Sequence, residues 1–243
     1  MKYLHWNQET ITDFSDKYVS EMYEKGYVFT RLGKGVMHQT RSVRIDLNLF
    51  ALNSENRRIL KKTHGLNARA EELPLADYSF KLGKIAKDFY EAKFGKGVMS
   101  AQKIKEMLTD SMKSNFNQLL IFVPNAPARQ SQSPEEPASE GEPAESKGCG
   151  FAICYENESL LHYSYPFYDL NAAPRDMGLG MMIRAVEWAK SCNKKYIYLG
   201  SLQRPADTYK LQFEGLEWFD GQRWSNNLDI VKEILGKSSG EAV

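Results

Sequence analysis

Cysteine is scarce: 243 residues hold only Cys149, Cys154 and Cys192, an odd set without paired spacing. Neither a disulfide framework nor a metal knuckle is expected from it, and Cys149 with Cys154 is one pair, too few for a zinc site. Histidine is nearly as sparse. His5, His38, His64 and His162 are too scattered to compose a Ser-His-Asp order or a metal-ligand spacing, so hydrolase and metalloenzyme readings are disfavoured and no metal is expected. No run of about 18 apolar residues is present, and the opening Met-Lys-Tyr-Leu-His-Trp-Asn-Gln lacks the apolar core of a signal peptide. A cytoplasmic protein with no membrane partner is expected, with a monomer favoured.

What is present is enough for a core: 42% of residues are hydrophobic and 12% aromatic, at a length that suits one large domain or two small ones. Proline is concentrated, since five of nine lie between Pro124 and Lys147, a stretch that also holds Glu135, Glu136, Glu140, Glu142 and Glu145. With almost no large apolar side chain, residues 124–148 read as a disordered insertion at a hairpin tip, and 237–243 as a flexible tail. The net charge of +1 is uneven, because residues 1–123 carry 20 Lys and Arg against 14 Asp and Glu. Outside the acidic insertion the chain is basic, which favours a polyanionic partner.

In chain order, Ile11, Phe14, Tyr18 and Met22 recur at helical spacing before Gly26. Tyr27–Thr30 and Val43–Leu47 read as strands around the turn Gly33-Lys34-Gly35. Asn53 or Ser54 is placed to cap a helix with Glu55 in its first turn and Lys61 and Lys62 near its end. Further helices are expected over Asp77–Lys93, with Leu82, Ile85 and Phe89 inward, and over Ser100–Met112, with Ile104, Met107 and Leu108 inward. Phe116–Val123 and Gly150–Tyr155 read as paired buried strands. Then come a strand over Leu160–Phe167, a glycine turn over Pro174–Gly180, a helix to Cys192 and a returning strand over Lys195–Leu199.

The turn reads Arg175-x-x-Gly178-Leu179-Gly180 at a strand-to-helix junction. Glycines there let backbone approach a ligand, and the first N–H groups of a helix are anion donors. A tight turn with no ligand has the same residues.

The whole order of parts resembles the pyrophosphate-loop region of GNAT acyltransferases. It is more similar still to the carboxy-terminal half of arginyl-tRNA-protein transferases and the related bacterial leucyl-transferases. The stretches that carry the resemblance are Phe167-Tyr168-Asp169, Gly178-Leu179-Gly180, Ala189-Lys190, Tyr198-Leu199-Gly200 and Tyr209-Lys210-Leu211-Gln212-Phe213. The run from Arg41 through Arg44 to Asp46, then Phe50 and Ser54 to Lys62, resembles the amino-terminal half of the same proteins. Family members commonly carry a cysteine cluster before the Arg-Ile-Asp strand, and here Gly35 to Ser42 has none.

The resemblance implies a mixed α/β fold, a GNAT-like acyltransferase domain over 114–236 preceded by a smaller α+β domain over 1–113. It implies transfer of an amino acid from aminoacyl-tRNA, as co-substrate, to the α-amino group of a protein N-terminus, with no tightly bound cofactor. Arg175, Gly178, Leu179 and Gly180 would hold the donor's terminal phosphates. Tyr168, Asp169, Tyr209 and Lys210 are candidate catalytic residues, with one of Tyr209 and Lys210 facing the site from a strand. Arg41, Arg44, Arg57 and Arg58 are candidates for tRNA or acceptor binding. Two alternatives stay open: an N-acyltransferase using acetyl-CoA or another acyl-CoA, and an inactive binder of peptides or RNA.

Overall fold

A computed structural model describes residues 3–63, 66–123 and 150–237. The expected insertion and nearly all of the expected tail lie outside these residues. The described elements are β1 (Asn7–Thr10), α1 (Asp16–Glu24), β2 (Tyr27–Phe29), β3 (Val36–Gln39), β4 (Ser42–Asp46), α2 (Ser54–Lys62), β5 (Asn67–Glu72), α3 (Phe80–Phe94) and α4 (Ala101–Thr109). They continue with β6 (Gln118–Val123), β7 (Gly150–Glu156), β8 (Leu160–Tyr168), α5 (Met177–Ser191), β9 (Tyr196–Ser201), a 3-10 segment (Pro205–Gln212), β10 (Leu216–Phe219), β11 (Trp224–Ser225) and α6 (Leu228–Lys237). The fold is mixed α/β, as expected.

An eight-stranded sheet in the order β11-β10-β4-β9-β8-β7-β6-β5 organises the molecule. All its neighbours are antiparallel except β8 and β9. Two layers cover it. On one face α5, with α2 and α6, packs on Val43, Ile45, Leu161, Tyr163 and Ile197. On the other, α1, α3, α4 and the small sheet β1-β3-β2 pack on Leu119, Ile153, Leu160, Phe167 and Tyr198.

The expected break at residue 113 is not a break in the sheet. The strand β4, with Val43 and Ile45 fully buried, is inserted between β9 and β10, and β5 is the edge partner of β6. Val43 and Ile45 turn one face of this strand into the core while Ser42 and Arg44 are also buried, so it needs two neighbours and two covered faces, which the carboxy-terminal sheet supplies. The amino-terminal contribution outside that sheet is α1, α3, α4 and the three-stranded sheet.

Local signals set the helix starts. The Asn53 side chain accepts from the Asn56 backbone N–H at 2.8 Å, and Ser100 accepts from Lys103 at 3.0 Å. The first helix departs from its expected stripe: Phe14 and Tyr18 are 39% and 37% exposed, whereas Val19, Met22 and Tyr23 are buried. Asp13 accepts the Ser15 N–H at 2.8 Å and turns the chain, so helix geometry begins only at Asp16 and the inward face is reset. In α3, Leu82 and Ile85 are half-buried and Gly83, Ala86, Phe89 and Tyr90 form the inward face. Gly236 and Lys237, the latter assigned to the tail, are the last turn of α6.

Candidate functional site

The strands β8 and β9 pair only where Leu160–His162 faces Tyr196–Tyr198. Beyond that point β8 stays on β7 as far as Tyr168, and β9 stays on β4 as far as Ser201. Both strands are bulged where they part. In β8, Ile153 and Cys154 face Tyr165 and Tyr163, leaving Ser164 unpaired; in β9, Leu199 and Gly200 together face Val43, with Gly200 at φ 77°. An extra residue bends its strand and increases local twist, so the two strands diverge. The parting lies between the α5 layer and the α1–α3 layer.

The 3-10 segment closes the end of this opening. Tyr209 and Lys210 lie in it, not in a strand, and a turn of three residues separates them onto different sides: Tyr209 is 45% exposed, Lys210 only 9%. Lys210 Nζ donates to the Ser201 carbonyl at 3.0 Å. Burial pushes Lys210 down to about 8, against the opposing pull of the Asp207 carboxylate. Burial alone would raise Asp207, but the Lys210 ammonium, two backbone N–H groups and Arg204 outweigh it and hold its carboxyl below the usual range. Those contacts are the Gln203 and Arg204 N–H groups at 2.9 Å each and the Arg204 guanidinium at 3.0 Å.

His162 sits at the last paired position and is 2% exposed, with Nδ1 2.9 Å from the Tyr23 hydroxyl. Burial, with the nearby Lys210 charge adding to it, pushes the imidazole down to about 3, so it is neutral at pH 7. Its place beside Lys210 has no signal in sequence spacing. Tyr163, 2% exposed, carries a hydroxyl with no partner among the described residues.

The glycine turn forms as expected, with α5 starting at Met177, but most of its first N–H groups are already engaged. Met177 donates to the Pro174 carbonyl at 3.2 Å, and Leu179 and Gly180 donate to the Asp176 carbonyl at 3.1 and 2.9 Å. The Gly178 N–H is directed at the Tyr168 hydroxyl. Gly180 serves packing: a Cβ there would meet Thr63 Oγ1 at 2.6 Å, so its absence lets α2 close on α5. The cap residue Asp176 is left-handed at φ 67° and its carboxylate lies 3.5 Å from Lys62. Arg175 is exposed in the turn. Tyr168 is half-buried, packing on Phe89 at 4.8 Å between centroids, and Asp169 accepts the Asn171 N–H at 2.9 Å, a turn-forming contact.

The basic candidates separate into three situations. Arg44 is buried at 5% exposure, held by Glu24 and Glu217 at 2.7 Å each and clamped between the Tyr196 and Trp224 rings at 3.9 and 4.1 Å. It is a core cation and is withdrawn from any tRNA or acceptor, because its strand is internal to the sheet. Arg41 is half-buried, donating to the Leu202 carbonyl at 3.4 Å beside the opening, with Nε unpartnered among the described residues. On α2, Arg58 is forked onto Glu55, while Arg57 and Lys61, one turn apart, are exposed with no ion pair among the described residues. Helix α2 contacts α5, and the residues it brings to the glycine turn are Lys62, paired with Asp176, and Arg58, which feels the Asp176 charge.

Among the described residues no group of His, Cys, Asp and Glu could hold a metal ion, and no helix is long and apolar enough to cross a membrane. Where β8 and β9 part, the charged and polar side chains brought together are Lys210, Asp207, Arg204 and His162.

No family model matches the chain. It is 34% identical over 98 residues to an aspartate/glutamate leucyltransferase of Stenotrophomonas maltophilia (strain K279a), covering 38% of each chain. It is 33% identical over 91 residues to an aspartate/glutamate leucyltransferase of Xylella fastidiosa (strain M23), covering 37% of this chain and 35% of that relative. The matches thus span under half the length of these curated relatives. Two solved structures are distant likenesses: L-PGS from Bacillus licheniformis (14% identity, TM-score 0.45, 91% of this chain and 70% of that one) and the C-terminal DUF2156 domain of a lysylphosphatidylglycerol synthetase, described as putative, from Agrobacterium fabrum (13% identity, TM-score 0.43, 81% and 55%).

Proposed function

We propose that this protein transfers an amino acid from aminoacyl-tRNA to the free α-amino group of a protein N-terminus. The observation that carries the reading is Lys210, a buried amine lowered to about 8 where β8 and β9 part. An acceptor α-ammonium ionises near 7.7–8.0, roughly matched to it, so a proton passes between them with little free-energy change. The neutral Lys210 amine takes that proton and the freed acceptor nitrogen attacks the ester carbonyl carbon. A C–N bond forms, the C–O bond to the ribose breaks, and the ribose oxygen leaves with the second proton that the attacking nitrogen gives up, while Lys210 keeps the first. An aminoacyl ester is already activated, so alignment and charge stabilisation suffice. Asp207 holds the segment that carries Lys210, and neutral His162 adds no second positive charge beside it.

The donor's phosphates are assigned to the α2–α5 side, where Arg57, Lys61 and Arg175 are exposed cations. The engaged N–H groups of α5 count against a pyrophosphate cradle, and therefore against acyl-CoA as donor.

The test is transfer of labelled amino acids from total charged tRNA to peptides with free N-termini, with acetyl-CoA as the competing donor. Lys210→Met should lower kcat/KM by roughly 10²- to 10⁴-fold while the protein stays folded. Arg57→Glu with Lys61→Glu should reduce the slope of log affinity for tRNA against log salt by about 2. Transfer from acetyl-CoA with none from tRNA, or a Lys210→Met enzyme at wild-type rate, would defeat the reading.

A further inference from the structure

At the parting of β8 and β9 one buried hydroxyl has nothing to bond to. Tyr163 is 2% exposed, and its hydroxyl has no partner among the described residues. Other deeply buried tyrosine hydroxyls are engaged: Tyr23 with His162 at 2.9 Å, Tyr90 with the Pro166 carbonyl at 3.1 Å and Tyr198 with Arg44 at 3.3 Å. The Tyr163 ring packs edge-on to Phe122, a contact that phenylalanine would make equally well without the cost of enclosing an unpaired O–H. The oxygen is therefore the part of this side chain that packing does not explain.

Its position shows what it faces. The strands β8 and β9 pair in parallel register as far as His162 and Tyr198, and Tyr163 is the first residue of β8 beyond that point. Continued, the register would set Tyr163 against Leu199 and Ser164 against Gly200, where the two bulges instead open the sheet. Lys210 stands on the far bank, since its Nζ lies 3.8 Å from where a Cβ of Gly200 would be. Glycine has no side chain to come between that amine and the opening. Burial is the main force on both Tyr163 and His162, yet Tyr163 is also near enough to feel Tyr209 and Tyr168, and His162 near enough to feel Lys210. Two consecutive residues of β8 thus meet two consecutive residues of the 3-10 segment. Consecutive strand side chains point to opposite faces, which puts His162 with Tyr23 on the α1 side and Tyr163 in the α5 layer, the side assigned to the donor.

Resting on the transfer reading above, we infer that Tyr163 is a catalytic residue whose hydroxyl donates a hydrogen bond to the carbonyl oxygen of the donor's ester as that oxygen gains charge. The acceptor nitrogen bonds to the carbonyl carbon, the π pair of the C=O bond moves onto oxygen, and the Tyr163 O–H meets it there. When the pair returns and the C–O bond to the ribose breaks, Tyr163 still holds its proton. Burial keeps the phenol well above its ordinary value, so it is a neutral donor throughout the range in which Lys210 titrates. A donor fixed by packing and already stripped of water needs no reorganisation when the charge appears.

The test is Tyr163→Phe, assayed with charged tRNA and with acetyl-CoA as donors and followed by thermal unfolding. The variant should lose roughly 10²- to 10³-fold in kcat, the loss that follows removal of one oxyanion donor, with KM for charged tRNA unchanged. Its Tm should equal or exceed that of the wild type, because the ring stays and an unpaired O–H is gone. The rise of kcat with pH through about 8, set by Lys210, should keep its midpoint in the variant. Wild-type kcat in Tyr163→Phe, or a kcat loss matched by a fall in Tm, overturns the assignment; when the wild type uses charged tRNA, the transfer reading still stands. A wild type that uses acetyl-CoA and not charged tRNA defeats the transfer reading. The Tyr163 assignment then survives if the variant loses kcat with acetyl-CoA, whose thioester carbonyl gains the same charge, and falls if it does not. A wild type inactive with both donors defeats both.

Discussion

Replacing Gly180 by alanine tests whether that glycine answers to packing or to a ligand. The added Cβ would lie 2.6 Å from Thr63 Oγ1, 2.7 Å from Cγ2 and 3.0 Å from Cβ. Thr63 has no room to yield: it is fully buried, and its hydroxyl donates to the Ile59 and Leu60 carbonyls at 3.1 and 3.3 Å. Overpacking of this kind costs roughly 1–3 kcal/mol, and alanine recovers at most about 1 kcal/mol of helix propensity over glycine. The net expectation is a loss of about 1–2 kcal/mol, or several degrees in Tm at roughly 2–4 °C per kcal/mol for a chain of this size. Thermal unfolding of the wild type, Gly180→Ala, Thr63→Ala and the double variant measures it. Thr63→Ala removes the two nearest atoms, so the double variant should be more stable than the sum of the singles by about 1 kcal/mol. A rise in Tm for Gly180→Ala would refute the close α2–α5 contact. Unchanged stability with lost transfer would instead make this a ligand-binding glycine.

Arg44→Met should destabilise by about 3 kcal/mol in denaturant unfolding, through loss of the pairs with Glu24 and Glu217 and of the clamp between Tyr196 and Trp224; a change under about 1 kcal/mol would show these contacts to be incidental. His162 is held down at about 3 in the fold, against an ordinary value of 6.5, so below pH 6.5 the unfolded chain binds a proton the folded chain refuses. Stability should fall between pH 6.5 and 3, and His162→Gln should flatten that part of the curve; an unchanged acid slope would place the effect elsewhere. Lys210 has the same sign in another window: lowered from 10.5 to about 8, it should make stability rise with pH between those values, a rise that Lys210→Met should abolish.

Legibility followed the range of the forces involved. The α2 start was readable because Asn53 caps within three residues, and the paired strands β6 and β7 because Leu119–Phe122 and Ala152–Cys154 are buried runs. The edge strand β5, Asn-Ala-Arg-Ala-Glu-Glu, gave no signal, since it owes its conformation to hydrogen bonds from β6 and little to its own side chains. Tyr209 and Lys210 were expected on a strand because the resemblance puts the segment that carries them just after the last central strand. Asp207 folds it into a 3-10 segment by accepting two backbone N–H groups.

The glycine turn ahead of α5 was read from residues near one another in the chain, and the mixed α/β class and the short list that included Lys210 came with the resemblance those local stretches carry. Which of the arginines are free was a tertiary decision. Arg44 and Arg57 were both candidates for binding tRNA, yet one lies on a strand drawn between β9 and β10 and the other on the outer face of a helix. The juxtaposition of Tyr23, His162 and Lys210 is of the same kind. Sequence periodicity specifies which side of an element is buried; the charge or hydroxyl that side meets depends on contacts between residues far apart in the chain, which only the closed sheet brings together.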